Sequence, residues 1–198
     1  MLHLLFVGIT FITAVLGIPT WETFSSRASI GSLVPGSSVI EALGGYEVPQ
    51  VLSLSAPPGV AGNVTITMRR RSRSSDLALF FLHHNRLFQF TNETSILNVN
   101  VLNTTAVEGE PMPYKLAVSP KREGLRDAMF RWRGTLLHYE LGNGPDQTFF
   151  YVCKNASGET GIYMLAQADA TPPGCTLVTL HSFNHLELIQ QRKEQSSS

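Results

Sequence analysis

Charge is scarce in this chain of 198 residues. Only 15% of its side chains are Asp, Glu, Lys or Arg, against roughly 25% in typical soluble domains. The 15 basic and 15 acidic residues cancel to a formal net charge of zero, so an overall electrostatic drive toward nucleic acid or an anionic membrane is excluded. Long hydrophobic runs are scarce too. The sustained apolar stretch, Leu4 to Leu16, is shorter than the roughly 20 residues that span a bilayer. Cysteine is limited to Cys153 and Cys175, too few for a cysteine-built metal centre. The G-x-S-x-G elbow of serine hydrolases is missing as well.

What is present begins with the apolar start. Leu4 to Leu16 has the length of a signal-peptide core, and Val15 and Gly17 supply the small residues that precede a cleavage point. Residues 1–17 are therefore read as a signal peptide, although His3 stands where a basic residue is usual. The polar end, Gln190 to Ser198, does not fit a GPI signal. Four sequons follow the leader: Asn63-Val64-Thr65, Asn92-Glu93-Thr94, Asn103-Thr104-Thr105 and Asn155-Ala156-Ser157. Each predicts a surface asparagine carrying N-linked sugar in a secreted protein.

Two cysteines in an oxidising compartment allow one pairing, Cys153 with Cys175. In a simple up-down-up meander the two would sit about 17 Å apart at opposite sheet edges, beyond the roughly 4.4–6.8 Å between Cα atoms that a disulfide needs. The bond thus requires Gln167 to Gly174 to cross back before the last strand, and eight residues can span about 26 Å.

Period-two alternation organises the rest. Strands are predicted over Val64 to Met68, Leu77 to Leu82, Arg86 to Phe90, Ile96 to Leu102 and Tyr114 to Val118. Others follow at Phe130 to Arg133, Thr135 to Tyr139, Phe149 to Cys153, Ile162 to Ala166 and Cys175 to Leu180. His83-His84-Asn85 forms the turn of a hairpin. About ten short antiparallel strands between turn signals predict an all-β domain, a single sandwich or barrel with one disulfide. Helix is confined to a candidate tail, Leu186 to Gln195. The chain divides into the leader at 1–17, a Ser/Gly/Pro-rich segment at 18–59 packing on or leading into the domain, the β domain at 60–185, and a polar tail at 186–198.

Several runs carry a resemblance. They are Trp132 with Gly134-Thr135-Leu136, Phe149-Phe150-Tyr151-Val152-Cys153, Ile162 to Ala166, and Pro172-Pro173-Gly174-Cys175, with Ser25 to Ile30 and Leu79 to Leu82 further upstream. In these the chain resembles fungal secreted cell-wall proteins of the phialide type and the related IgE-binding, allergen-like proteins of filamentous fungi. It departs from them at Lys154, where a proline is usual, and at Thr176-Leu177-Val178, where Leu-Gly-Phe is usual. The resemblance implies an extracellular or wall-associated protein of a fungus and brings no catalytic residues.

Candidates for chemistry are few. His181 and His185 have the spacing of zinc ligands on a helix, but His181 falls on or after a strand and no acidic cluster joins them. Glu108 with Glu110, and Glu140 with Asp146, are the carboxylate pairs a glycosidase would need. Arg69-Arg70-Arg71-Ser72-Arg73 reads as a processing site, an anion patch or a solvated loop, and Lys121-Arg122 is a second dibasic pair. Phe130, Trp132 and Tyr139 are either a core face or a platform for stacking sugar rings.

The expectation is a secreted, non-enzymatic glycoprotein of the extracellular space or wall, with a structural or binding role. Its alternative is an effector or carbohydrate-binding module for a wall or host polymer; a small hydrolase ranks third. No catalytic, metal or cofactor residues, nucleic acid or membrane anchor are expected, and no feature sets an oligomeric state.

Overall fold

The computed structural model describes residues 37–68, 77–92, 95–167 and 170–182. The signal segment 1–17, Ser25 to Ile30, the arginine run at 69–73, His185 and the tail 186–198 lie outside the described residues. Twelve strands and no helix fill the described part. They are β1 (Glu41–Leu43), β2 (Gln50–Leu54), β3 (Gly62–Met68), β4 (Leu79–His83), β5 (Arg86–Asn92) and β6 (Ser95–Asn103). Then come β7 (Tyr114–Ser119), β8 (Met129–Arg133), β9 (Leu136–Glu140), β10 (Phe150–Lys154), β11 (Thr160–Met164) and β12 (Cys175–His181).

The ladder runs β11-β10-β12-β1-β2-β3-β7-β6-β5-β4, with the β8–β9 hairpin attached to β12 through β9. Every pairing between these strands is antiparallel. A further pairing of β11 with β7 closes the part of the ladder from β11 to β7 on itself, and β6, β5 and β4 branch from it. Closure matters because an open edge presents unpaired N–H and C=O groups. The fold is the all-β, single-disulfide architecture that alternation predicts.

The sheet begins upstream of the expected boundary at residue 60. β1 and β2 sit between β12 and β3, and Ile40, Ala42, Val51 and Leu52 are buried. β1 is three residues long and contains Glu41, too short and too polar for periodicity to register. Its place comes from pairing on both sides, not from local preference.

One hydrophobic core holds Ile40, Leu52, Val64, Phe80, Leu116, Phe150, Ile162 and Leu180, among others. Strand β10 is buried on both faces. Phe150 and Val152 enter that core, while Tyr151 and Cys153 enter a second, small cluster with Met112 and Tyr163. The loop between β6 and β7 covers this outer face. It is fastened by the Thr104 hydroxyl donating to the Met112 carbonyl at 2.5 Å and by the Ala156 N–H donating to the Gly109 carbonyl at 2.9 Å.

Candidate functional site

The disulfide organises the small cluster. Cys153 on β10 and Cys175 on β12 are direct register partners, with Cα atoms 4.3 Å apart. That spacing belongs to a non-hydrogen-bonded antiparallel pair, where side chains stand closest. β10 lies between β11 and β12, so the chain after β11 returns across β10 before β12 begins. This is the crossing that a Cys153–Cys175 bond requires. The Met112 sulfur lies 3.5 Å from Cys153 Sγ and helps bury it.

Beside the disulfide Glu110 stands in a charged group whose other members, Lys115 and Tyr163, sequence reading passes over. Lys115 Nζ donates to Glu110 Oε1 at 2.8 Å, with both side chains almost fully covered. The Tyr163 hydroxyl donates to Glu110 Oε2, and Lys115 Nζ sits 5.4 Å from the Tyr163 ring centroid. Burial alone would raise the Glu110 pKa. Hydrogen bonds from Lys115 and Tyr163 outweigh it and hold the carboxyl below its ordinary range. Burial, then the neighbouring carboxylate, push Tyr163 upward. Glu110 and Lys115 are five apart in sequence with Pro111 and Pro113 between them, so only the fold pairs them.

Three sequon asparagines can be placed. Asn103 is exposed at the end of β6, where its Oδ1 accepts the Thr105 N–H at 3.0 Å and the Thr105 hydroxyl at 2.6 Å. Asn155 is half-buried in the β10–β11 turn; its Oδ1 accepts the Ser157 hydroxyl at 2.7 Å and the Glu159 N–H at 2.9 Å. Asn63 is half-buried on β3 and alternates with core residues Val64 and Ile66, so it faces outward. Asn92 ends β5; its side chain and Thr94 lie outside the described residues.

The aromatic platform is overturned. Phe130 is 2% exposed and Tyr139 1% exposed, both within the main core, and Trp132 packs against that core. They are partners across the β8–β9 hairpin, Phe130 opposite Tyr139 and Trp132 opposite Leu137, so one face carries them inward together. Tyr139 is a polar anchor as well as filler. Its hydroxyl lies 2.9 Å from the Leu165 carbonyl and 3.0 Å from the Phe149 carbonyl, and it accepts the Leu165 N–H at 3.3 Å. Burial raises its pKa well above the usual phenol value.

The opposite face of that hairpin is ionic. Arg131 Nη2 lies 3.1 Å from both Glu140 Oε2 and Asp146 Oδ1, and Arg133 Nη2 lies 2.8 Å from Asp146 Oδ2. His138 Nδ1 lies 3.0 Å from the same Asp146 oxygen. Burial works to raise the Asp146 pKa, but His138 and Arg131 outweigh it and the net shift is downward. Asp146 Oδ1 has no aligned donor, so its contact with Arg131 is Coulombic rather than a hydrogen bond. Of the carboxylates considered for sugar chemistry, Glu110, Glu140 and Asp146 are thus tied to lysine or arginine while Glu108 is exposed, and no hydroxyl hydrogen-bonds to His138 among the described residues.

His181 and the dibasic pair complete the inventory. His181 Nε2 lies 3.0 Å from Thr179 Oγ1, and no group of three metal-type side chains converges among the described residues. His84 and Asn85 occupy a hairpin turn with φ of 48° and 57°, while Lys121 and Arg122 are exposed on the loop after β7. Comparison with protein-family models, with curated proteins and with solved structures finds no match for the chain.

Proposed function

We propose that this is a secreted, N-glycosylated β protein of the extracellular space or a fungal wall, acting through structure and binding rather than catalysis. The observation that carries the reading is the cross-strand disulfide, buried under Met112 between strands whose register brings its two sulfurs together. A covered disulfide of this kind suits a chain that folds in an oxidising compartment. Outward-facing Asn63 and exposed Asn103, with the leader read from residues 1–17, support the same destination. The resemblance to phialide-type wall proteins supplies the fungal setting.

Expression of the full chain in a eukaryotic secretory host tests this. The medium should contain a protein beginning at Ile18, with Cys153 linked to Cys175 in a non-reducing peptide map and a mass that falls on N-glycan removal. Retention inside the cell with two alkylatable thiols would overturn it.

A polymer-binding module is the second reading, favoured by one surface. Phe149 and Leu177 are 40% and 38% exposed. Leu177 on β12 and Phe149, just before β10, lie toward the same outer face, because Leu177 pairs with Tyr151 and Phe149 is two residues away from it. Sedimentation with chitin and β-glucan tests it, and a Phe149→Ala variant that sediments like the parent would count against this face.

A further inference from the structure

The loop between β7 and β8 is strapped to the outer side of β6 by two asparagines. Asn98 Nδ2 donates to the Pro120 carbonyl at 3.0 Å, and Asn100 Nδ2 donates to the Lys121 carbonyl at 3.0 Å. Asn100 Oδ1 accepts the Glu123 N–H at 3.1 Å. The Leu125 N–H adds a bond to the Val101 carbonyl at 2.8 Å. Gly124, at φ +69°, passes so close that a Cβ there would lie 2.1 Å from that oxygen. These ties run to loop backbone, so the position of Arg122 is set by the strap. Its guanidinium also donates to the Arg126 carbonyl.

Arg86 on β5 is equally restrained. Its Nη2 donates to Asn98 Oδ1 at 2.5 Å, and its Cζ stands 5.0 Å from the Phe88 ring centroid. The Phe88 ring is itself stacked on Phe81, with centroids 5.3 Å apart. Arg86, Arg122 and Asn100 form the polar wall of a notch of about 10 Å³ whose remaining walls are apolar, room for about one oxygen-sized group. Among the described residues no carboxylate lies within ion-pair distance of either guanidinium. Glu123 and Asp127 share the loop without reaching them.

Two like charges held near each other, Arg86 half-buried and Arg122 exposed, are an unfavourable arrangement that an anion relieves. Burial and then the Arg122 charge lower the Arg86 pKa, as such a juxtaposition requires. Guanidinium forks match the oxygens of carboxylate and sulfate groups. Lys121 and Arg126, exposed on the same loop, offer further cations to a chain of repeated acidic groups.

The geometry points to an oxyanion site at the Arg86–Arg122 notch, which takes the carboxylate or sulfate groups of an acidic polysaccharide. The inference rests on the binding role proposed above and narrows it to acidic polymers. Its failure is distinguishable, because secretion and disulfide pairing are read by mass and not by retention.

Affinity electrophoresis of the full secreted protein through polygalacturonate, dextran sulfate and a neutral β-glucan provides the test. Retardation is expected in at least one acidic gel and absent in the neutral one. Loss of one charged hydrogen-bonding partner in R122Q should weaken retention about tenfold, and R86Q should match it if folded by circular dichroism. K154Q, which removes the same charge from an exposed site on β10, should behave as wild type. Sodium sulfate should displace the polymer better than sodium chloride at equal ionic strength. Any of four results overturns the site: no retardation in either acidic gel, unchanged R122Q, an equal loss in K154Q, or sulfate no better than chloride.

Discussion

Tyr139 shows how one side chain serves packing and hydrogen bonding together. Its ring packs against Phe150 with centroids 4.9 Å apart, while its hydroxyl serves backbone groups of Phe149 and Leu165. Tyr139→Phe keeps the ring but leaves buried carbonyls unmet, so stability measured in urea should fall by about 1–3 kcal/mol. Glu110 is the other decisive residue. Glu110→Gln leaves buried Lys115 without its counter-charge and should cost about 3 kcal/mol at neutral pH. The folded pKa of Glu110 lies below its unfolded value of about 4.3. The stability from this pair is therefore present above that value and lost as pH falls through the folded pKa. Acid unfolding followed by circular dichroism should show a shallower acid limb in Glu110→Gln than in the parent. Neither role was legible beforehand. Tyr139 was visible only as an aromatic in an alternating run, and its partners come from the loop before β10 and the end of β11.

At the level of elements, the β4–β5 hairpin was the most readable feature. His83↔Arg86 closes a two-residue turn in which His84 and Asn85 both have positive φ, the backbone of a type I′ turn. Histidine pays a steric penalty there that asparagine and glycine avoid. The double change His84→Asn with Asn85→Gly should stabilise by about 1 kcal/mol, read as a higher melting temperature. Phe130 N–H donation to the Asn85 carbonyl uses backbone only and survives the change. The β8–β9 hairpin was legible from Gly134, which takes φ 60° at the first turn position. Alternation puts Phe130 and Trp132 on one face of β8 and Arg131 and Arg133 on the other. It did not say which face was inside, because periodicity divides a strand into two faces and leaves their destinations open. Asn98 and Asn100 alternate with Leu97, Val99 and Val101 and so share one face, yet their use as straps for a distant loop depends on where that loop runs.

For the whole molecule, the disulfide is the main covalent constraint. It joins residues 22 apart in sequence, and a Cys153→Ser, Cys175→Ser variant should lose about 3 kcal/mol in the chain-entropy account. Denaturant melts of the two proteins would measure this, and an unchanged midpoint would refute it. Much of the architecture follows from the chain itself. Short alternating runs, turn residues at their ends and an even cysteine count led to an all-β, single-disulfide domain, because those features act over a few residues at a time. The N-terminal share of the sheet did not follow, since three-residue β1 owes its place to partners from β2 and β12. Closure through β11 and β7, the second small core, the Glu110–Lys115 pair and the Arg86–Arg122 notch were decided by tertiary structure alone. Each joins residues that carry no local signal for one another, so their meeting depends on the path of the folded chain.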